Sequence, residues 1–160
     1  MLDLELPKSA QRVQDVLMQA GVPLKVLVME ASTRTANDAA AAIGCEVRQI
    51  IKSLVFQTKD TGRPILVLAS GVNRVNEKKV AAAVGEFIGK ADADFTRTVT
   101  GFAIGGIPPV GHAQPIDTII DETLLSLPVL WAAAGTPHTV FSLTPEDLLR
   151  LTNGKVIDLQ

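Results

Sequence analysis

Cysteine and histidine are scarce in this chain of 160 residues. It has one cysteine, Cys45, and two histidines, His112 and His138. A single cysteine excludes an internal disulfide, and these three residues are too few for a zinc site of the usual nitrogen and sulfur ligands. The carboxylates show no recognisable metal-ligand spacing, so we expect no metal and no other cofactor. We interpret Cys45 as a small apolar packing residue.

The sequence also lacks tyrosine, an excess of one charge, and any apolar run approaching the ~20 residues of a membrane span. Fifteen Lys and Arg against seventeen Asp and Glu give a net charge of −2, which argues against a general DNA-binding or membrane-surface protein. Residues 1–5 have neither the basic nor the apolar region of a signal peptide. We therefore expect a cytoplasmic protein with one domain over residues 1–160, and no membrane or DNA partner.

Helical and extended patterns alternate along the chain without a strict strand–helix–strand repeat. The predicted helices cover 7–20, a span from Thr35 or Asn37 to Gly44, 76–84, 92–99 and 144–152, with a helical turn at 46–50. The predicted strands cover 22–29, 53–57, 65–69, 115–120, 129–134, 138–143 and a last segment after Gly154. This order predicts an α/β domain of the mixed α+β kind rather than a doubly wound sheet.

The segment 101–112 is the most distinctive part of the sequence, because it holds four of the twelve glycines, the pair Pro108-Pro109 and His112. Proline stiffens a loop, and the N–H groups of its glycines can then bind an oxyanion, a phosphate or a carbonyl without a charged side chain. A tight connection between core elements is the alternative. The loop lacks the G-x-G-x-x-G spacing of a dinucleotide site, and the chain has no Walker A motif and no G-x-S-x-G nucleophile motif.

Lys52 lies between apolar residues where the helical turn at 46–50 leads into a strand. Its side chain must either extend to solvent or point into a cleft, where it would suit a phosphate or a ribose hydroxyl. His112 could be a general base or a donor to a substrate, or it could be a loop histidine bonded to a backbone carbonyl. His138 follows a turn and is more typical of a surface residue.

Several cations fall near the ends of predicted elements and could line one rim, although scattered solvated charges would give the same pattern. They are Arg34, Arg74, Lys78, Lys79 and Arg97.

Three segments together resemble the YbaK/EbsC family, whose members are related to the editing domain of bacterial prolyl-tRNA synthetases. These segments are 51–56 around Lys52, the glycine loop 101–111, and 131–135 leading to 143–149. The resemblance implies a single domain with a mixed, largely antiparallel, curved sheet and surrounding helices. It also implies hydrolysis of wrongly charged aminoacyl-tRNA, with mischarged tRNA bound through its 3′ aminoacyl-adenosine end, and prolyl-tRNA synthetase as a further partner.

The resemblance also suggests site residues. Lys52 matches the single lysine of the family, and residues 105–109 match its G-x-x-x-P loop. We expect Lys52 to anchor the terminal adenosine, the N–H groups of Gly105 and Gly106 to hold the ester carbonyl, and His112 to orient the attacking water. The expected substrate-binding residues are Gly101, Ile107, Pro108, Pro109, Gly111, Ser53, Thr33, Arg34, Gly135 and His138.

The amino acid that would be removed is not fixed by the sequence. Ser53 follows Lys52 as in the cysteine-removing members, whereas the alanine-removing members have Asn there. The cysteine-removing members often carry a Cys-Ser pair where this chain has Ile107 and Pro108. We expect the substrate to be proline tRNA that carries Cys, Ala or a similar small amino acid. We expect the protein to be a monomer or a homodimer. The alternatives are a non-catalytic module that binds tRNA ends or nucleotides and docks on a synthetase, and a structural or regulatory protein.

Overall fold

Five α-helices, eight strands and two 3-10 turns alternate along residues 5–160, the part of the chain that the computed structural model describes. The helices are α1 (Lys8–Gln19), α2 (Ala36–Ile43), α3 (Glu77–Val84), α4 (Ala93–Thr100) and α5 (Pro145–Thr152). The strands are β1 (Leu27–Val28), β2 (Ile51–Thr58), β3 (Pro64–Ser70), β4 (Ile88–Lys90), β5 (Asp117–Asp121), β6 (Leu130–Ala133), β7 (Thr139–Leu143) and β8 (Lys155–Ile157). The 3-10 turns are Val47–Gln49 and Glu122–Ser126. Residues 1–4, to which the expectation about a signal peptide partly refers, lie outside the described residues.

The strands form two hydrogen-bonded sheets. Five strands follow the order β4-β2-β3-β5-β8, in which β2 is antiparallel to both neighbours while β3, β5 and β8 are parallel. Three antiparallel strands follow the order β1-β7-β6. A parallel bridge between Ile50 and Trp131 links the two sheets beside the start of β2. The predicted mixed α/β class with largely antiparallel pairing is confirmed.

Helix starts and ends follow the local signals in the sequence. Thr35 is the N-cap of α2, because its hydroxyl accepts a hydrogen bond from the Asp38 N–H at 3.0 Å, and this decides between the two predicted caps. Thr144 caps α5 in a capping box with Asp147. Gly44 ends α2 in the left-handed conformation that favours glycine.

The predicted strand over 22–29 is wrong for most of its length, since only Leu27–Val28 pairs with another strand. The Gln14 side chain of α1 takes the place of a strand partner. Its amide nitrogen donates to the Leu24 carbonyl and its oxygen accepts from the Val26 N–H, both at 2.9 Å. Pro23, in the same segment, has no N–H to donate to a sheet. The short strand β4 and the turn Glu122–Ser126 were not predicted.

The five-stranded sheet is buried on both faces, and residues along β2 and β3 alternate between two apolar clusters. Ile51 and Val55 of β2 belong to the larger cluster, which α1 and the three-stranded sheet cover. Phe56 belongs to the second cluster, together with Val80 of α3. Cys45 packs beside a third cluster that includes Ile50, as expected of an apolar packing residue. No helix in residues 5–160 is long and apolar enough to cross a membrane.

Candidate active site

Two clefts meet at the open edge of β2. The edge strand β4 pairs only with Phe56–Thr58, so the outer edge of β2 is uncovered by β4 over residues 52–54, and the glycine loop lies beside it. The small cleft measures about 320 Å³ and is lined by residues 33–36, Ala39, Ile43, 50–54, Ile104, Gly105, Ile107, 131–133 and Val140. The large cleft measures about 690 Å³ and is lined by residues 52–56, 72–75, Glu77, Lys90, Ala91, Thr96, Ile104 and Ile107.

Lys52 lines both clefts and is half-buried. Its Nζ donates a hydrogen bond to the backbone carbonyl of Asn73 at 2.5 Å, so the side chain does not extend freely into solvent. Burial lowers the pKa of Lys52; the charge of Asp121 opposes this change, and the charge of Arg74 adds to it. The residue therefore places a partly desolvated positive charge where the two clefts join.

A buried carboxylate fixes the segment that holds Lys52. Asp121, at the end of β5, is fully buried and accepts hydrogen bonds from the Ser70 N–H at 3.0 Å and the Asn73 amide at 2.8 Å. Its other oxygen accepts from the Thr123 N–H at 3.0 Å. These bonds hold the turn after β3, which presents the Asn73 carbonyl to Lys52. Neither Asp121 nor Asn73 was predicted as a site residue, although an acid that directly follows an apolar strand is a usable signal for one.

Of the four glycines in the loop 101–111, Gly105 is the one that lines the small cleft. It has φ +98°, and its N–H forms no hydrogen bond with any other residue of the described chain. A Cβ on Gly105 would lie 2.8 Å from Cγ of Arg34, so the arginine side chain passes close over this glycine. Arg34 lines the small cleft and forms no ion pair within residues 5–160.

Gly106 has a packing role instead. It is buried, its N–H donates to the Ala103 carbonyl at 3.2 Å, and its own carbonyl accepts from the Gly135 N–H at 2.8 Å. A Cβ there would lie 2.8 Å from three backbone atoms of Thr136. The structure therefore leaves Gly105, but not Gly106, with a backbone donor to offer a ligand.

The structure does not bring His112 to Lys52. His112 lines a third cleft of about 390 Å³, together with Pro109 and Gly111, and its Nε2–H donates to the Pro108 carbonyl at 2.8 Å. Burial lowers the pKa of His112, and the nearby charge of Arg12 lowers it further. The hydrogen bond to Pro108 raises the pKa but does not offset these effects. The geometry matches a neutral loop histidine bonded to a backbone carbonyl.

The other expected substrate-binding residues are divided between the clefts and the packing around them. Ile107 lines both clefts, and Ser53 and Thr33 line the small cleft with buried hydroxyl oxygens that have no hydrogen-bond partner within residues 5–160. Gly135 is buried against α1, and Gly101 ends α4. His138 is exposed and lines none of the three clefts described above; its backbone carbonyl accepts from the Met29 N–H at 2.7 Å.

Only some of the candidate rim cations are close to these clefts. Arg34 lines the small cleft and Arg74 the large one. Lys79 pairs with Asp158 at 3.0 Å, and Lys78 and Arg97 line neither cleft. Lys90, at the end of β4, is a cation of the large cleft that the sequence did not indicate.

The strand pairing adds backbone groups to the site. The Thr58 N–H bonds to Arg63 on the β3 side, while the Val55 carbonyl bonds outward to Ala91. Because these directions alternate along a strand, the N–H and carbonyl of Ser53 also point to the outer edge, beyond the reach of β4.

The described residues include no group of three His, Cys, Asp or Glu that could hold a metal ion. The arrangement can therefore bind and stabilise negative charge through an ammonium group and backbone N–H groups.

Comparisons with known proteins agree on one family. The sequence profile of the aminoacyl-tRNA editing domain matches residues 30–151. The chain is 30% identical over 129 residues to EbsC of Enterococcus faecalis, a candidate Cys-tRNA(Pro)/Cys-tRNA(Cys) deacylase, covering 78% of this chain and 76% of EbsC. It is 35% identical over 94 residues to the proline–tRNA ligase of Limosilactobacillus fermentum, covering 56% of this chain and 16% of the ligase.

A solved structure extends the similarity to the whole fold. The crystal structure of a candidate trans-editing enzyme for prolyl-tRNA synthetase superposes with a TM-score of 0.92 and 48% sequence identity. The alignment covers 98% of this chain and 99% of that one.

Proposed function

The chain belongs to the aminoacyl-tRNA editing domain family, and from this premise we propose that it hydrolyses the ester of mischarged tRNA as a separate, trans-acting deacylase. The products are the free amino acid and the intact tRNA. The substrate is proline tRNA carrying a small amino acid such as Cys or Ala, in line with the names of EbsC and of the trans-editing enzyme with the similar fold. The expected kinship with EbsC and with prolyl-tRNA synthetases is confirmed.

The observation that carries this proposal is the shared cleft of Lys52 and Gly105. An ammonium group and a backbone N–H that has no hydrogen-bond partner among residues 5–160 line the same space of about 320 Å³. That volume lies at the lower end of the ~300–1,000 Å³ range for ligand pockets, which suits a small acyl group. Ile43 and Trp131 give the cleft a largely apolar lining, which suits a small and weakly polar side chain.

The chemistry needs positioning more than a strong nucleophile, because an aminoacyl ester is already activated. In the proposed reaction, the Gly105 N–H receives the carbonyl oxygen as negative charge develops on it. Lys52 holds the terminal adenosine through its ribose hydroxyl or phosphate, and its charge stabilises the same developing anion. The oxygen of a water molecule bonds to the carbonyl carbon, the bond from that carbon to the ribose oxygen breaks, and the ribose oxygen leaves with a proton.

The attacking water has no protein base in this proposal. His112 lies in a different cleft, and its Nε2–H is bonded to Pro108. The neighbouring ribose hydroxyl of the substrate orients the water instead. The outward carbonyl of Ser53 is an acceptor for the α-ammonium group of the amino acid, which places the acyl carbon beside Gly105.

The test is a set of proline tRNAs charged with Cys, Ala, Ser or Pro, each incubated with protein at one-tenth of its concentration. Loss of a small non-cognate ester over several turnovers, with the Pro ester spared, supports the proposal. A tRNA-binding module without catalysis would instead protect the ester at stoichiometric protein. Protection, or decay at the rate of the protein-free control, would overturn the assignment as a deacylase.

A further inference from the structure

The large cleft continues from the small one without a separating element. Residues 52–54, Ile104 and Ile107 line both spaces, so a ligand bound beside Lys52 in one cleft can extend into the other. The large cleft has more than twice the volume, about 690 against 320 Å³. An aminoacylated nucleotide has a small acyl end and a large nucleotide end. The small cleft suits the acyl end in size, and the large cleft suits the nucleotide end.

The large cleft also carries free positive charge. Arg74, in the turn after β3, and Lys90, at the end of β4, both line it and are exposed. Neither forms an ion pair within residues 5–160. Glu77, the first residue of α3, is the acid in the lining. The charge of Arg74 also lowers the pKa of Lys52, so an anion bound between these two cations would relieve their repulsion.

Apolar side chains lie exposed beside these cations. Val72 is 59% and Ile104 52% exposed, and Leu54, on the strand edge between the clefts, is 37% exposed. All three side chains line the large cleft, so a ligand bound there would cover apolar surface that is exposed in the free protein. Single-stranded nucleic acid exposes apolar base faces together with charged phosphates, so a groove that binds it combines apolar contact with cations. Here Val72 and Ile104 offer aliphatic contact beside Arg74 and Lys90.

We propose that the large cleft binds the single-stranded 3′-terminal nucleotides of tRNA, with Arg74 and Lys90 on their phosphates and Val72 and Ile104 against their bases. This inference rests on the proposed function, because it places the acyl group in the small cleft and runs the nucleotide chain across Lys52. It assigns Arg74 and Lys90 to substrate binding and leaves the ester chemistry to Lys52 and Gly105.

The test compares two substrates that share the ester and differ in phosphate. One is the aminoacyl-tRNA that the protein hydrolyses, and the other is the same amino acid esterified to adenosine, which has no phosphate. Arg74→Gln and Lys90→Gln should each lower kcat/KM for the tRNA about tenfold, the scale of one hydrogen bond to a charged group. Neither variant should change kcat/KM for aminoacyl-adenosine. Equal losses on both substrates, or no loss on either, would overturn the inference.

Matched controls separate a local contact from a general charge effect. Arg150→Gln and Lys155→Gln remove the same charges from exposed positions that line neither cleft, and they should leave both rates unchanged. Glu77→Gln removes a negative charge from the large cleft and should change binding in the opposite direction, strengthening it. If a control variant lowers kcat/KM for the tRNA as much as Arg74→Gln does, the effect comes from net charge, and the assignment of Arg74 is contradicted.

A binding measurement separates failure of this inference from failure of the proposed function. The probe is an uncharged RNA hairpin with a single-stranded CCA end, titrated by fluorescence anisotropy at several salt concentrations against the same hairpin without CCA. For Arg74→Gln we expect weaker binding and a salt slope lower by about 0.7, the loss of one single-strand phosphate contact. Wild-type-like binding by both variants would overturn the inference even if the ester is hydrolysed.

A wild-type protein that binds the CCA end through Arg74 and hydrolyses no ester would overturn the function alone. AMP that competes as well as the hairpin would show a free-nucleotide site and contradict RNA-end binding.

Discussion

The Nζ of Lys52 donates a hydrogen bond to the backbone carbonyl of Asn73 at 2.5 Å, although the two residues are 21 positions apart in the chain. A lysine side chain has high conformational entropy, and this bond selects one placement of it at the junction of the two clefts. Asn73 is itself fixed through its side chain, which donates to the buried Asp121 at 2.8 Å. The position of the cation thus depends on a carboxylate that lines neither cleft.

Replacing Asp121 by Asn should therefore affect Lys52 from a distance. The charge of Asp121 raises the pKa of Lys52 against the effect of burial, so its removal lowers that pKa further. We expect the alkaline limit of kcat/KM to move to lower pH. Stability should fall by about 1–3 kcal/mol through the lost hydrogen bonds. The control is Asp60→Asn in the exposed turn after β2, which should shift neither quantity; an unchanged pH profile of Asp121→Asn would contradict the positioning role.

The two adjacent glycines of the loop should fail in different ways. Alanine at Gly105 requires φ +98° and a Cβ 2.8 Å from the flexible Arg34 side chain, at a strain of about 1–3 kcal/mol. Alanine at Gly106 would meet the Thr136 backbone at 2.8 Å, which cannot move without shifting the chain. We expect Gly105→Ala to lower kcat strongly with a modest change in Tm, and Gly106→Ala chiefly to lower Tm. The reverse pattern would indicate that Gly106 supplies the catalytic N–H and would contradict its assignment to Gly105.

His112 should contribute to the pH dependence of stability and not to that of catalysis. Its pKa is lowered in the folded protein, so the unfolded chain binds more protons in the range below its unfolded pKa of about 6.5. Its contribution to stability is therefore complete above that pH and decreases as the pH falls through it. Urea unfolding between pH 7.5 and 5 should show a smaller acid loss for His112→Gln than for the wild type. A fall in kcat for that variant by about 10²-fold or more, the scale of a lost general base, would restore His112 to the mechanism.

The segment after α1 gives a prediction about the fold. Gln14→Ala removes both hydrogen bonds that hold residues 24 and 26, so hydrogen exchange at the Val26 amide should become faster. The lost bonds should cost about 1–2 kcal/mol of stability. Gln11→Ala, on the exposed side of the same helix, is the matched control. Unchanged protection of Val26 would mean that strand β1 orders the segment without Gln14.

Local signals were enough to predict most of the elements. Thr35, Thr144 and the glycines that end helices specify helix boundaries through contacts within a few residues, and the apolar runs of β2 and β3 are long enough to be recognised. The segment 22–29 has the composition of a strand, but its hydrogen bonds go to Gln14, a partner that no local pattern reveals. The three residues of β4 are too few to show a period.

The site was predictable where one residue type stands out and not where distant residues cooperate. Lys52 was identified because a cation among apolar residues needs an explanation. Asn73 reaches Lys52 from 21 positions away, and Asp121 reaches Asn73 from 48 positions away. Lys90 reaches the site through the edge strand β4. The position of Asp121 after an apolar strand marks it as a candidate, but no local pattern shows which distant residues these three would join. His112 was selected for its chemistry, but its position in a separate cleft depends on the path of the loop through the fold.

The most direct test of the account is the single-turnover rate of ester hydrolysis on mischarged proline tRNA by Lys52→Ala, with Lys155→Ala as the matched control and circular dichroism to verify folding. We predict a rate lower by about 10²-fold or more for Lys52→Ala, the scale of a lost oxyanion-stabilising group, and a wild-type rate for Lys155→Ala. A folded Lys52→Ala protein that hydrolyses the ester at the wild-type rate would contradict it.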